Sequence, residues 1–257
     1  MKRRNFIKGS ALIAGAAVSG QAAAGVQTRP GKEIYELRVY HFKNNGQKDK
    51  VGRFYTQALI PVMNDSGVKV GAFGEYGQTE PATVYYLLVY PSLDDYHQIK
   101  KAIWKNGDFL QKSKAYFDET AENGTYTRFE TYLLEAFDAN PQVRMPDRER
   151  GLFELRTYES NNEEAGQRKI KMFNSGELAV FDEVGLYTTF FGEILAGPQM
   201  PALVYMLWFK DMDERTENWK KFSGHPKWNE MKAKPEYANA VSVVNKKFLV
   251  PLEYSQI

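Results

Sequence analysis

The sequence predicts an α+β protein in which two tandem βαββαβ units pack sheet to sheet as one barrel within a single chain. Three observations predict it. The chain repeats itself in order: YELRVY at residues 35–40 returns as FELRTY at 153–158, an offset of 118, and Gly67 and Phe73-Gly74-Glu75 return as Gly185 and Phe191-Gly192-Glu193 at the same offset. Pro81-Ala82-Thr83-Val84-Tyr85-Tyr86-Leu87 returns as Pro201-Ala202-Leu203-Val204-Tyr205-Met206-Leu207 at 120, which implies two extra residues in the second turn. Such self-similarity at one period marks a repeat architecture. Within each copy the apolar spacing alternates between period 2 and period 3.6 in the order strand, helix, strand, strand, helix, strand. Finally, 257 residues with 43% hydrophobic content, including 16 Tyr, 16 Phe and 4 Trp, supply a core for two units of roughly 100–150 residues each.

The elements follow in order. Tyr35 to Tyr40 alternates and is β-rich, and Gln47 to Asn64 carries helical spacing at Val51, Phe54, Tyr55, Ala58 and Leu59. Val68 to Tyr76 and Thr83 to Tyr90 read as strands around a turn containing Gly and Pro. A second helical region runs from about Leu93 to Glu119, interrupted near Asn106-Gly107, and Tyr126 to Phe137 closes the first unit, residues 33–138. The second unit, 151–254, repeats the series, with Pro226 and Pro235 breaking its second helical stretch. NPQVRMPDRERG between them is polar with two prolines and reads as a linker.

Residues 1–24 read as an export signal. A basic start is followed by the apolar run Ala11–Val18, too short to span a bilayer, and by Ala22-Ala23-Ala24 as a cleavage site. Arg3-Arg4-Asn5-Phe6-Ile7-Lys8 resembles the twin-arginine pattern, so the sequence predicts a bacterial periplasmic or cell-envelope location, with retention of the signal as an anchor left open. Loss of Lys2, Arg3, Arg4 and Lys8 turns the formal net charge from +2 to −2. No global field draws in nucleic acid, and no permanent transmembrane segment is expected after cleavage. The chain has no cysteine, which excludes disulfides, thiolate metal sites and Cys nucleophiles.

The order βαββαβ is the ferredoxin-like arrangement, an antiparallel sheet with both helices on one face. The uncovered face must be buried, and the second copy is at hand to bury it. On the two ELR-Y strands, the two FGE strands, the P-A-x-V-Y strands and the break Trp219…His225-Pro226-Lys227-Trp228, the chain resembles the NIPSNAP family over residues 33–254. The first copy departs from that break, reading Trp104…Gly107-Asp108-Phe109. The resemblance implies a dimeric α/β-barrel fold with a lumen. It leaves the biochemical role undefined.

Alternation places Tyr35, Leu37 and Val39 on one strand face and Glu36, Arg38 and Tyr40 on the other, with Phe153, Leu155, Thr157 against Glu154, Arg156, Tyr158 in the second copy. With the apolar set against the helices, the two Glu-Arg-Tyr sets are expected to face the lumen, joined by Glu75 and Glu193. Two readings of that charge set stand side by side. One is a structural ion-pair network across the barrel. The other is a pocket for a small polar or planar molecule, in which a carboxylate beside a phenol could serve as acid or base.

His41, His97 and His225 are the only histidines and have no chelating spacing, so no metal site is expected. The resemblance makes His97 and His225 formal haem candidates, because some relatives in the barrel superfamily hold haem through a helix histidine. No cofactor is required by the sequence. His225-Pro226 reads more simply as a helix start. No G-x-S-x-G, H-E-x-x-H or P-loop occurs, and GAFGEYG at 71–77 is a strand pattern with glycines rather than a phosphate loop. The functional expectation is a module binding a small ligand or a protein through the barrel. The alternative is an oxygenase-like or haem-associated enzyme using the same lumen. Oligomeric state is left open by the sequence.

Overall fold

A computed structural model describes residues 31–77, 82–146 and 151–257. The export segment read in residues 1–24 lies outside the described residues. Each half of the chain forms the expected βαββαβ series. In the first, β1 (Ile34–His41) leads to α1 (Asn45–Phe54), a π-helical turn (Tyr55–Leu59) and α2 (Ile60–Asp65), then β2 (Lys69–Glu75), β3 (Thr83–Tyr90), α3 (Leu93–Ala102), α4 (Gly107–Phe117) and β4 (Arg128–Ala136). In the second, β5 (Leu152–Glu159) leads to α5 (Glu163–Met172), a π-helical turn (Phe173–Glu177) and α6 (Leu178–Val184), then β6 (Tyr187–Ala196), β7 (Ala202–Phe209), α7 (Met212–Gly224), α8 (Pro226–Lys232) and β8 (Val243–Pro251).

Local chemistry starts and stops these helices. Asn44 and Asn162, 118 residues apart, each accept a hydrogen bond from a backbone N–H three residues on, satisfying a first-turn donor that the helix cannot. Gly67 and Gly185 end the first helical stretch of each unit at φ of 77° and 79°, which glycine adopts without strain. Pro226 opens α8 directly after His225, the role its sequence suggested. Among the described residues no helix is long and apolar enough to cross a membrane.

All eight strands close into one antiparallel barrel in the order β1-β3-β2-β8-β5-β7-β6-β4. Closure occurs where β8 of the second unit pairs with β2 of the first and β4 of the first pairs with β6 of the second. Among the described residues no sheet edge is left to pair elsewhere. At the start of the second unit the N–H of Gly151 bonds to the carbonyl of Phe209 at the end of β7. A Cβ on Gly151 would lie 2.2 Å from the backbone oxygen of Lys210, so Gly151→Ala is expected to lower stability by about 1–3 kcal/mol in urea unfolding. An unchanged midpoint would mean that this close approach of Gly151 to Lys210 yields freely.

The strand faces are the reverse of the expectation. Tyr35, Leu37, Val39, Phe153 and Leu155 belong to the core inside the barrel, whereas Tyr40 and Tyr158 pack beneath the helices. Glu36, Arg38, Glu154 and Arg156, which alternate with the lumen set, are likewise turned to the helix side and bonded there. Both faces of every strand are covered in this fold, so an apolar alternate set does not by itself identify the helix side. The lumen takes the apolar set because it holds few groups to pair a charge, while the helices bring partners.

A second reversal has a local cause. In β6, Thr188 stands opposite Leu207 and Phe190 opposite Met206, so Thr189 is an extra residue, a β-bulge. One inserted residue turns every later side chain to the other face. Phe73 therefore points into the lumen and its sequence match Phe191 beneath the helices. The same holds for Tyr85 in the lumen against Tyr205 under the helices, and in the opposite sense for Val84 and Val204. Arg38 stands opposite Tyr86 and Arg156 opposite Tyr205, which fixes the structural offset of these strands at 119, between the 118 and 120 of the matched letters.

Candidate functional site

The lumen is closed at one end and open at the other. At the closed end Tyr35 meets Phe190 with ring centroids 5.0 Å apart, Phe73 meets Phe153 at 4.9 Å, and Tyr187 stacks on Trp208 at 4.8 Å. The Ile257 side chain is fully buried among them. Toward the opposite end, where β1 and β5 finish and β4 and β8 begin, the packing gives way to a cavity of about 530 Å³. That volume lies in the range of small-molecule sites.

The cavity has an apolar floor and a polar rim. Leu37, Val39, Leu155 and Val204 form the floor. One wall comes from the first unit. There Tyr85 donates to Glu75 Oε1 at 2.7 Å, and His41 Nε2 lies 3.8 Å from Glu130, which Arg128 also holds. Burial and the neighbouring Glu75 carboxylate push the Tyr85 hydroxyl's pKa up, so it remains a neutral donor. The second unit supplies Thr157, Asn245, Lys246 and Lys247, and Lys247 Nζ reaches across to Glu75 Oε1 at 3.3 Å. Gln199, from the turn between β6 and β7, overhangs the mouth, accepting from Tyr132 at 3.2 Å and donating to Glu159 at 3.1 Å.

The bulge makes this mouth one-sided. Strand pairing sets Glu75 opposite Leu249 and Ile194 opposite the related Leu134, so Ile194 is the pseudo-symmetric counterpart of Glu75. By the same register Val204 is the counterpart of Tyr85. A carboxylate and a phenol on one side face two aliphatic side chains on the other.

Of the eight residues expected to line the lumen, Glu75 does so. Glu193 sits outside the barrel wall and accepts from Gln167 Nε2 at 2.6 Å. The other six form two sheet-to-helix clusters. Glu36 accepts from Arg38 at 3.0 and 2.9 Å, from Tyr90 at 2.9 Å and from Lys100 of α3 at 3.1 Å, and Arg38 also donates to Tyr55 at 3.2 Å. Burial alone would raise the Glu36 carboxyl, but Arg38 and Lys100 outweigh it and hold its pKa at about 2. Glu154 accepts from Arg156 and twice from Arg215 of α7, all at 2.9 Å, and from the Trp219 indole at 2.8 Å. Burial likewise opposes ionisation of Glu154, and Arg215 and Arg156 prevail to lower its pKa. Tyr40 and Tyr158 each meet a second tyrosine, Tyr55 at 3.4 Å and Tyr205 at 2.8 Å. Carboxylates with this many donors have little capacity left for a ligand. They fasten helices to the sheet.

Neither histidine suggested for haem borders the cavity. His97 is exposed on α3, and His225 stands before α8 with its Nε2 3.3 Å from Glu183. Tyr85, His41, Glu130, Tyr132, Gln199, Asn245 and Lys247 were missed by sequence reasoning. They come from four strands and a turn, and no spacing along the chain connects them.

A family model described as NIPSNAP matches residues 35–129 and again 153–256. No curated protein matches the chain. Among solved structures, a candidate monooxygenase from Lactobacillus acidophilus is similar at 12% identity with a TM-score of 0.56, covering 86% of this chain and 94% of its own. A candidate monooxygenase from Fusobacterium nucleatum is similar at 10% identity and TM-score 0.54, covering 87% and 94%. An uncharacterised NIPSNAP-like domain protein from Burkholderia xenovorans is 17% identical, with a TM-score of 0.39, and covers 43% of this chain and 92% of its own.

Proposed function

We propose, for a chain that belongs to the NIPSNAP family, that it binds one small molecule with an apolar body in the open end of the barrel lumen. The observation that carries this reading is the cavity itself, about 530 Å³ with an aliphatic floor and hydrogen-bonding groups confined to its rim. Such a cavity accepts an apolar body and fixes its polar end. Val204 lies in the floor, so Val204→Trp fills the space a ligand would use. The fluorescent amine N-phenyl-1-naphthylamine is expected to bind the native protein and to lose at least about tenfold in affinity in Val204→Trp, the equivalent of about 1.4 kcal/mol. Equal binding to both proteins would refute the lumen as the site.

A second reading, catalysis in the same cavity, is the oxygenase-like alternative that the two candidate monooxygenases bring to mind. Glu75 favours it, as a carboxylate at the edge of an apolar pocket with a phenol 2.7 Å away, where a proton could be taken from a bound molecule. The two readings part on whether a bound compound is recovered unchanged.

A further inference from the structure

We infer that the mouth selects ligands whose polar end is an anion, with Lys247 as the exchangeable counter-ion and Glu75 as the group that competes for it. The inference rests on the lumen-binding reading above. It starts from which charges at the rim are already committed. Glu130 is held by Arg128 and faces His41, and Glu159, just outside the cavity, is turned to the amides of Gln199 and Asn245. Glu75 keeps the Tyr85 hydroxyl at 2.7 Å whether or not Lys247 stays.

The cations are placed differently. The Lys247 side chain is 55% exposed, while the Glu75 side chain it reaches is 16% exposed inside the lumen. Lys247 therefore spans from solvent to the pocket wall on a flexible stem, held by one contact of 3.3 Å. Lys246, beside it on β8, pairs with Arg156 and so turns its side chain to the helix side, which leaves Lys247 as the ammonium β8 presents at the mouth. An anionic group arriving at the rim above an apolar body would meet the Lys247 ammonium. Lys247 can turn to it, leaving Glu75 bonded to Tyr85. A cationic end would meet carboxylates that already have partners. Lys247 is more than half exposed and makes one contact of 3.3 Å, so exchanging it costs little.

Two probes share one aromatic skeleton and differ in charge: 8-anilinonaphthalene-1-sulfonate and the neutral N-phenyl-1-naphthylamine. Both are titrated by fluorescence into the full chain, with Val204→Trp as the control that locates binding in the lumen. The sulfonate is expected to bind more tightly than the neutral probe, with a preference that shrinks as salt rises. Lys247→Met should weaken the sulfonate about three- to tenfold and leave the neutral probe within about twofold, and Lys247→Arg should restore most of the loss. Glu75→Gln should tighten the sulfonate about two- to fivefold, because it releases Lys247. Unfolding midpoints of the variants report that each remains folded.

If the two probes bind alike and Lys247→Met treats them alike, anion selection is wrong and lumen binding stands. If Glu75→Gln weakens the sulfonate, Glu75 is a ligand group and not a competitor, which also overturns the inference. If neither probe responds to Val204→Trp, the lumen reading fails and this one with it.

Discussion

Glu36→Met is expected to lower the unfolding free energy by about 3–5 kcal/mol, the cost of leaving a buried charge without its partner. Arg38, 7% exposed, would keep only the Tyr55 hydroxyl among its present partners. Replacing Arg38 by methionine as well should recover much of the loss, since Lys100 is partly exposed and can turn to water. The effect carries a pH signature. The folded Glu36 pKa of about 2 lies below the ordinary carboxylate value of 4.5, so its contribution is fully present above pH 4.5 and is lost as pH falls toward 2. That shift corresponds to about 3 kcal/mol. Urea unfolding across this window should show the acid loss in the native protein and a flatter profile in Glu36→Met. Because Glu36 faces the helices, neutral probe binding should be unchanged in the folded variant. A stable Glu36→Met protein that had lost probe binding would return these charges to the lumen.

Phe153→Ala should cost a similar amount, about 3–5 kcal/mol, through lost burial and a residual cavity. Phe153 is fully buried at the closed end, packed on Phe73 and paired across strands with Trp208 and Leu249. Its surroundings are strands of a closed barrel, which cannot collapse inward as a loop would. The vacated volume lies two residues from Leu155 on the same face, so the cavity should also deepen and admit a longer apolar probe. A loss below about 1 kcal/mol would mean that this end of the lumen is loosely packed.

The fold was legible because a repeat states its architecture many times over. Asn44 and Asn162, Gly67 and Gly185, and the two ELR-Y strands each specify the same local structure in each half. The site was less legible for two physical reasons. Alternation reports that Glu36 and Leu37 point to opposite faces, but a barrel wrapped in helices has no wet face to tell them apart. Thr189 also looks like any strand residue, and its insertion shows only in strand pairing. The matched letters of Phe73 and Phe191, or of Tyr85 and Tyr205, therefore suggested equivalence where the side chains diverge. Lys247 and Tyr132 occupy related positions in the barrel, yet nothing in their local sequences connects them. Glu75 lines the lumen because β2 carries no bulge ahead of it, whereas Glu193, beyond Thr189, is turned outward.

The bulge at Thr189 also bears on the pose of any molecule bound at the mouth. A barrel assembled from two identical chains would have to carry such an insertion in both, leaving its mouth two-fold symmetric and any single off-axis ligand with two equal orientations. Joining the halves in one chain removes that requirement. One half can be re-faced while the other is left alone, so an asymmetric molecule has one preferred way round, and binding should saturate at one equivalent per chain.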